Sequence, residues 1–138
     1  MTVNGLPAEH ARLLAILGEM ETVLGAETPP SMDQFGRMLA AFKKLFTAHI
    51  AAEEEGKAMR RALKEAPHLG TMAAELQEQH PQLVEGLEDL VRMTGKGEDG
   101  ASLEDLAGSF GQWLQSVRQH EMRENALLQE AYSRDLGA

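Results

Sequence analysis

The apolar positions of the chain fall into four runs with helical spacing, separated by short stretches where proline, glycine and polar residues break the period. The first stripe is Leu6, His10, Leu13, Leu14, Leu17, Met20 and Leu24. It is opened by Pro7, whose fixed φ and missing N–H suit a first helical position, and closed near Gly25. After Glu27-Thr28-Pro29-Pro30, Ser31 with Gln34 three residues on forms a capping-box pattern. Phe35, Met38, Leu39, Phe42, Leu45, Phe46, His49, Ala52 and Glu53 continue this second helix, which is expected to reach Lys64. Ala66-Pro67-His68-Leu69-Gly70 breaks the chain, and Met72, Leu76, His80, Leu83, Val84, Leu87, Leu90 and Val91 make the third stripe. Pro81 lies inside it, and an interior proline costs about 3 kcal/mol, so a kink or restart is expected there. Thr94-Gly95-Lys96-Gly97-Glu98-Asp99-Gly100 reads as a flexible linker. Ser102 with Asp105 then caps a fourth helix carrying Leu103, Leu106, Phe110, Trp113, Leu114, Val117, His120, Glu124, Leu127 and Leu128. Short connections make consecutive helices antiparallel neighbours, so the predicted fold is all-α, an up-down-up-down four-helix bundle forming one domain over residues 1–138.

Composition supports helix over sheet, since Val and Ile total seven against 19 Leu and 19 Ala. A net charge of −9 disfavours nucleic acid and anionic membranes as partners. The absence of cysteine excludes disulfides, thiolate zinc sites, cysteine-ligated clusters and a cysteine nucleophile. Glu9 and Arg12 interrupt the first 25 residues with no basic stretch ahead of them, which argues against a secretory signal and for a cytoplasmic protein. The uncharged run from Leu106 to Val117 is too short and too polar to cross a membrane.

A lone histidine on an apolar face is usually a hydrogen-bonded core residue. Here each of the four stripes carries one, and on the second and fourth a glutamate follows four residues later: His49 with Glu53, and His120 with Glu124. Residues four apart share a helix face, so each pair can point at one object. The halves repeat, with His10 to His80 spanning 70 residues and both His49 to His120 and Glu53 to Glu124 spanning 71. At about 1.5 Å per residue, His10 and His49 stand roughly 22 and 26 Å from the first turn. His80 and His120 stand roughly 21 and 27 Å from the second linker by the same rise, so all six side chains can converge.

Six such groups facing inward demand a positive partner, because an uncompensated buried carboxylate costs several kcal/mol. Four imidazoles and two carboxylates suit a dinuclear metal site. In it Glu53 and Glu124 bridge two ions, His10 and His49 complete one, and His80 and His120 complete the other. Six-coordinate iron would keep positions for an oxo or hydroxo bridge and a small exogenous ligand, and the lack of thiolates favours iron, or manganese, over structural zinc.

The ordered pattern of His, HxxxE, His, HxxxE from His10 to Glu124, one set per helix, resembles the hemerythrin-like HHE cation-binding domains. The resemblance implies a four-helix bundle around a non-haem di-iron centre with His10, His49, Glu53, His80, His120 and Glu124 as ligands. Oxygen-carrying members have a fifth histidine one turn before the third-helix ligand, where this chain has Leu76. The six-ligand set is therefore more similar to the di-iron domain of iron-sulfur-cluster repair proteins and other small bacterial hemerythrin-like proteins linked to nitric oxide, peroxide or iron. The repair proteins also carry a cysteine-containing N-terminal segment, and this chain has no cysteine.

A ferritin-like arrangement would need Glu-x-x-His on two helices. Only Glu65-Ala-Pro-His68 fits, and Pro67 puts it in a turn, so His68 is expected to face solvent. Glu54, Glu55 and Glu121 adjoin the ligands but point about 100° off their face, and are expected to be solvated or to support the ligands from outside. Trp113, Phe35, Phe42, Phe46 and Phe110, with Met20, Met38, Met72 and Met122, are expected in the core, and Tyr132 in packing. Gly18, Gly36, Gly56, Gly86, Gly108 and Gly111 serve either close helix approach or a small-molecule path. The leading function is small-ligand binding (oxygen, nitric oxide or peroxide) at a di-iron site in sensing, storage or stress defence. The alternatives are an enzyme for nitric oxide reduction or peroxide disproportionation, for which no acid–base residue beyond the ligand set stands out, and a structural or iron-sensing module.

Overall fold

The computed structural model describes residues 2–55, 60, 64, 67–95 and 101–137. It contains α1 (Thr2–Leu24), α2 (Met32–Glu55), a 3-10 turn (Pro67–Leu69), α3 (Gly70–Met93) and α4 (Leu103–Gly137), with no strand among the described residues. The expected extension of the second helix towards Lys64 falls largely on residues outside the described ones, as do Gly56, the linker residues after Gly95 and the side chains of Glu55 and Tyr132.

Both capping boxes form. Ser31 N–H donates to Gln34 Oε1 at 2.9 Å and Gln34 N–H to Ser31 Oγ at 3.0 Å. Ser102 N–H donates to Asp105 Oδ2 at 3.1 Å and Asp105 N–H to Ser102 Oγ at 3.0 Å. Each pair satisfies two of the N–H groups that a helix start leaves without intrahelical partners.

The helix start expected at Pro7 is corrected, and so is the restart expected at Pro81. α1 begins at Thr2, ahead of Pro7, because a proline close to a helix end removes a bond where few others depend on it. α3 runs unbroken through Pro81 from Gly70 to Met93. Pro81 and Gln77, whose carbonyl the missing N–H would have met, are both exposed, so water can satisfy the freed oxygen. Leu76, His80 and Leu83 bury the opposite face and hold the two segments together.

The closest backbone approaches join α1 to α4, α4 to α3 and α3 to α2, an arrangement compatible with a helical bundle. Two apolar clusters form within it. The larger holds Phe35, Phe42, Phe46, Phe110 and Trp113, with Phe35 and Phe110 edge to face at 5.5 Å and 89°. Trp113 Nε1–H donates to the Leu83 carbonyl at 2.9 Å, so its one polar group is satisfied inside the core. Gly86 makes this possible, since a Cβ there would stand 2.7 Å from Trp113 Cδ1. Gly36 similarly gives way to Thr94, whereas Gly18, Gly108 and Gly111 meet nothing within 4 Å. The smaller cluster holds Leu69, Ala73, Leu76, Leu127, Leu128 and Ala131. Met20 is buried and Met38 and Met72 pack against the clusters, but Met122 is 69% exposed, because it lies two residues from His120 and so on the far side of α4. Among the described residues no helix is long and apolar enough to cross a membrane.

Candidate metal centre

Between the two clusters lies a polar layer. On α3, His80 falls between Leu76 of the smaller cluster and Leu83 of the larger; on α4, His120, Glu121 and Glu124 fall between Val117 and Leu127. His10 from α1, and His49 and Glu53 from α2, complete the layer. The four histidines, Glu121 and Glu124 are all buried, and the Glu53 side chain is 7% exposed.

The imidazoles form two pairs. The rings of His10 and His49 meet edge to face with centroids 5.0 Å apart at 81°, and those of His80 and His120 do the same at 5.0 Å and 66°. Each histidine uses Nδ1 to reach an oxygen at the edge of the layer. His10 Nδ1 meets Asn125 Oδ1 at 2.6 Å, His49 Nδ1 meets Glu9 Oε1 at 3.0 Å, His80 Nδ1 meets Glu54 Oε2 at 3.1 Å, and His120 Nδ1 meets Gln79 Oε1 at 2.7 Å. An amide or carboxylate oxygen can only accept, so Nδ1 donates in all four and, in the neutral ring, Nε2 is left with its lone pair facing inward. That is the tautomer and orientation a metal-binding imidazole requires.

Two glutamates reach both pairs. Glu124 Oε1 lies 2.9 Å from His10 Nε2, while its Oε2 lies 3.5 Å from both His80 Nε2 and His120 Nε2. Glu53 Oε2 lies 3.1 Å from His10 Nε2 and 3.4 Å from His49 Nε2, while its Oε1 lies 3.6 Å from His80 Nε2. A third carboxylate enters one side only: Glu121 Oε1 lies 3.4 Å from His10 Nε2 and 3.8 Å from His49 Nε2.

Despite these short separations, His49 Nε2, Glu53 Oε1, His80 Nε2, Glu121 Oε1 and Glu124 Oε1 have no hydrogen bond of acceptable direction. Buried polar atoms are normally paired, so five buried ligand atoms without a hydrogen bond, converging in one layer, fit a cation as their partner. One ligand atom from each of His10, His49, Glu121 and Glu124 lies within 4.8 Å of the others, and the same holds for His80, His120 and Glu124. Glu53 belongs to neither of these compact sets, yet its contacts with His10, His49 and His80 place it in the layer.

The electrostatics also call for positive charge. Burial works against a charged His10, but the nearby Glu124 and Glu53 carboxylates outweigh it and push its pKa up to about 11. His80 rises to about 9 in the same way, burial opposed by Glu124 and Glu54, and for His49 too burial is outweighed, by Glu53 and Glu9, so its pKa is raised. Glu121 is pushed up to about 7 by burial, with His10 opposing. Burial also disfavours ionised Glu124, but contacts with His10, His120 and His80 hold its carboxyl well below the usual range.

The six residues singled out by spacing are thus brought together. His68 lies in the 3-10 turn, exposed, with Nε2 3.1 Å from Glu130 Oε2, away from the layer. Glu54 supports His80 from outside as expected, at 50% exposure. Glu121 corrects the expectation, since it points into the layer. The signal lay in Glu121 and Asn125, a second polar pair four residues apart running beside His120 and Glu124. α4 packs closely against both α1 and α3, so its buried arc is wide enough for both pairs.

No family model, curated protein or solved structure matches this chain. What defines it is an all-helical fold with a buried histidine and glutamate group that could hold metal.

Proposed function

We propose that the chain is a hemerythrin-like di-iron protein, an up-down-up-down four-helix bundle that takes up a small ligand (oxygen, nitric oxide or peroxide) in sensing, storage or stress defence. The observation that carries this reading is the set of four buried imidazoles, each turned inward by an outer acceptor and grouped two and two about Glu53 and Glu124. Cross-helix contacts support the up-and-down course. Glu21 pairs with Arg118 at 3.3 Å, where the earlier His10 meets the later Asn125. Lys43 pairs with Glu88 at 3.2 Å, where the later Glu54 meets the earlier His80. Glu75 pairs with Arg123 at 2.8 Å, where the later Leu83 meets the earlier Trp113, so in each helix pair the position rises on one helix as it falls on the other.

In this reading His10 and His49 would hold one ion and His80 and His120 the other, with Glu53 and Glu124, each in reach of both pairs, shared between them. A nitrogen and oxygen donor set without thiolate suits iron, which when bound supplies reversible redox chemistry and an open coordination position. The chain's own residues set the conditions. Asn125, Glu9, Glu54 and Gln79 fix the imidazole tautomers, the carboxylates offset the positive charge, and the apolar clusters on either side limit water.

Elemental analysis of the iron-reconstituted chain tests this directly, with two ions per chain expected. The oxidised sample should show near-ultraviolet ligand-to-iron absorption that shifts on adding azide. One ion or none in a folded sample, or a colourless protein, overturns the reading.

A further inference from the structure

The two halves of the polar layer differ by one carboxylate. The Glu121 side chain is 2% exposed, its Oε1 stands 3.4 Å from His10 Nε2 and 3.8 Å from His49 Nε2, and that oxygen has no hydrogen bond. Among the described residues no ion-pair contact joins it to His80 or His120. The compact donor sets reflect this: four residues surround the His10–His49 position and three the His80–His120 position. A carboxylate buried this deeply, with an oxygen aimed at two imidazole nitrogens and bonded to neither, needs a positive charge at the point they share.

On the dinuclear reading above, we propose that Glu121 is a terminal ligand of the ion held by His10 and His49, so that the small ligand binds at the ion held by His80 and His120. With Glu53 and Glu124 shared, the first ion would have five protein ligands and the second four. If solvent bridges the pair, a six-coordinate first ion is complete, and the vacant position falls on the second.

A second observation points to the same half. A cavity of about 280 Å³ opens between α3 and α4, lined by Gln79, Trp113, Ser116, His120 and Arg123 among others. It reaches His120 and no residue of the His10–His49 half. Gln79 accepts from His120 Nδ1 at 2.7 Å, so the residue that orients this imidazole is also part of the cavity wall. Arg123, paired with Glu75 at 2.8 Å, sets a cation in the same wall, which suits a small anion or a polar diatomic as the occupant.

The test compares the full chain with Glu121→Gln, both loaded with iron-57 and probed with azide. Wild type is expected to bind two irons with two distinct Mössbauer doublets and to take up one azide per chain. In Glu121→Gln the affinity for one of the two irons is expected to fall at least about tenfold, and at saturating iron the doublets should draw together. Two irons with superimposable doublets in wild type, or unchanged affinities and doublets in the variant, overturn the role of Glu121 and leave a dinuclear centre standing. Fewer than two irons in folded wild type overturns the dinuclear reading and this inference with it. The wild-type spectrum decides by itself, so poor folding of the variant does not remove the test. Ser116→Trp, which fills the cavity, should slow azide binding several-fold at equal iron loading; an unchanged rate overturns the access route.

Discussion

The His10–His49 and His80–His120 halves of the polar layer are built from the same parts in the same order, 70 and 71 residues apart along the chain. Each offers two imidazoles in an edge-to-face pair, each imidazole is oriented by an acceptor at the rim, and each half is touched by Glu53 and Glu124. They part at the residue after His120. Glu121 leans to the α1 side and closes the His10–His49 half with a third carboxylate, while the other half faces a cavity. A repeat in sequence can therefore make a site whose halves have different chemistry, because α4 meets α1 with one edge of its buried face and α3 with the other.

The largest effect should come from removing what the halves share. Glu53→Gln or Glu124→Gln keeps the side chain's size but deletes the charge that reaches both pairs, so both irons should be lost together, read as metal content per chain. Retention of two irons with an unchanged spectrum would show that these carboxylates do not bridge.

Removing what one half owns should separate them. His10→Ala is expected to lower iron content towards one per chain while azide binding persists; His120→Ala should also lower iron content but abolish azide binding. Equal azide loss in both variants would erase the proposed difference between the halves.

The glycines sharpen the contrast as stability. Gly86→Ala drives a methyl group to 2.7 Å from Trp113 and should cost about 1–3 kcal/mol in chemical denaturation. Gly18→Ala on α1, where the added Cβ meets nothing within 4 Å, should instead stabilise by about 0.5–1 kcal/mol.

Smaller effects belong to the rim. Asn125→Ala and Gln79→Ala each release one Nδ1–H and should weaken iron binding by about tenfold, the first in the closed half and the second in the open one. His68→Ala, exposed and paired with Glu130, should leave iron content unchanged, and a loss there would mean the layer has been misplaced.

The sequence alone determined the features that depend on residues a few positions apart. Ser31 with Gln34 and Ser102 with Asp105 start α2 and α4, because a capping box closes within one turn. The break at Pro67 and the apolar stripes are equally local, and so is one histidine per stripe with glutamates four residues after His49 and His120. Counting the helical rise sufficed to put these side chains at one depth, since rods of known pitch leave little choice.

Tertiary structure decided what depends on which neighbours a helix has. Glu54 and Glu121 look alike in sequence, each off the apolar stripe beside a residue of the layer. Yet Glu54 is half exposed and grips His80 from outside, while Glu121 is buried against His10. The periodicity of one helix states the direction of its buried face but not its width. That width is set by how many helices pack against it, and α4, lying close to both α1 and α3, has room to bury two adjacent polar stripes.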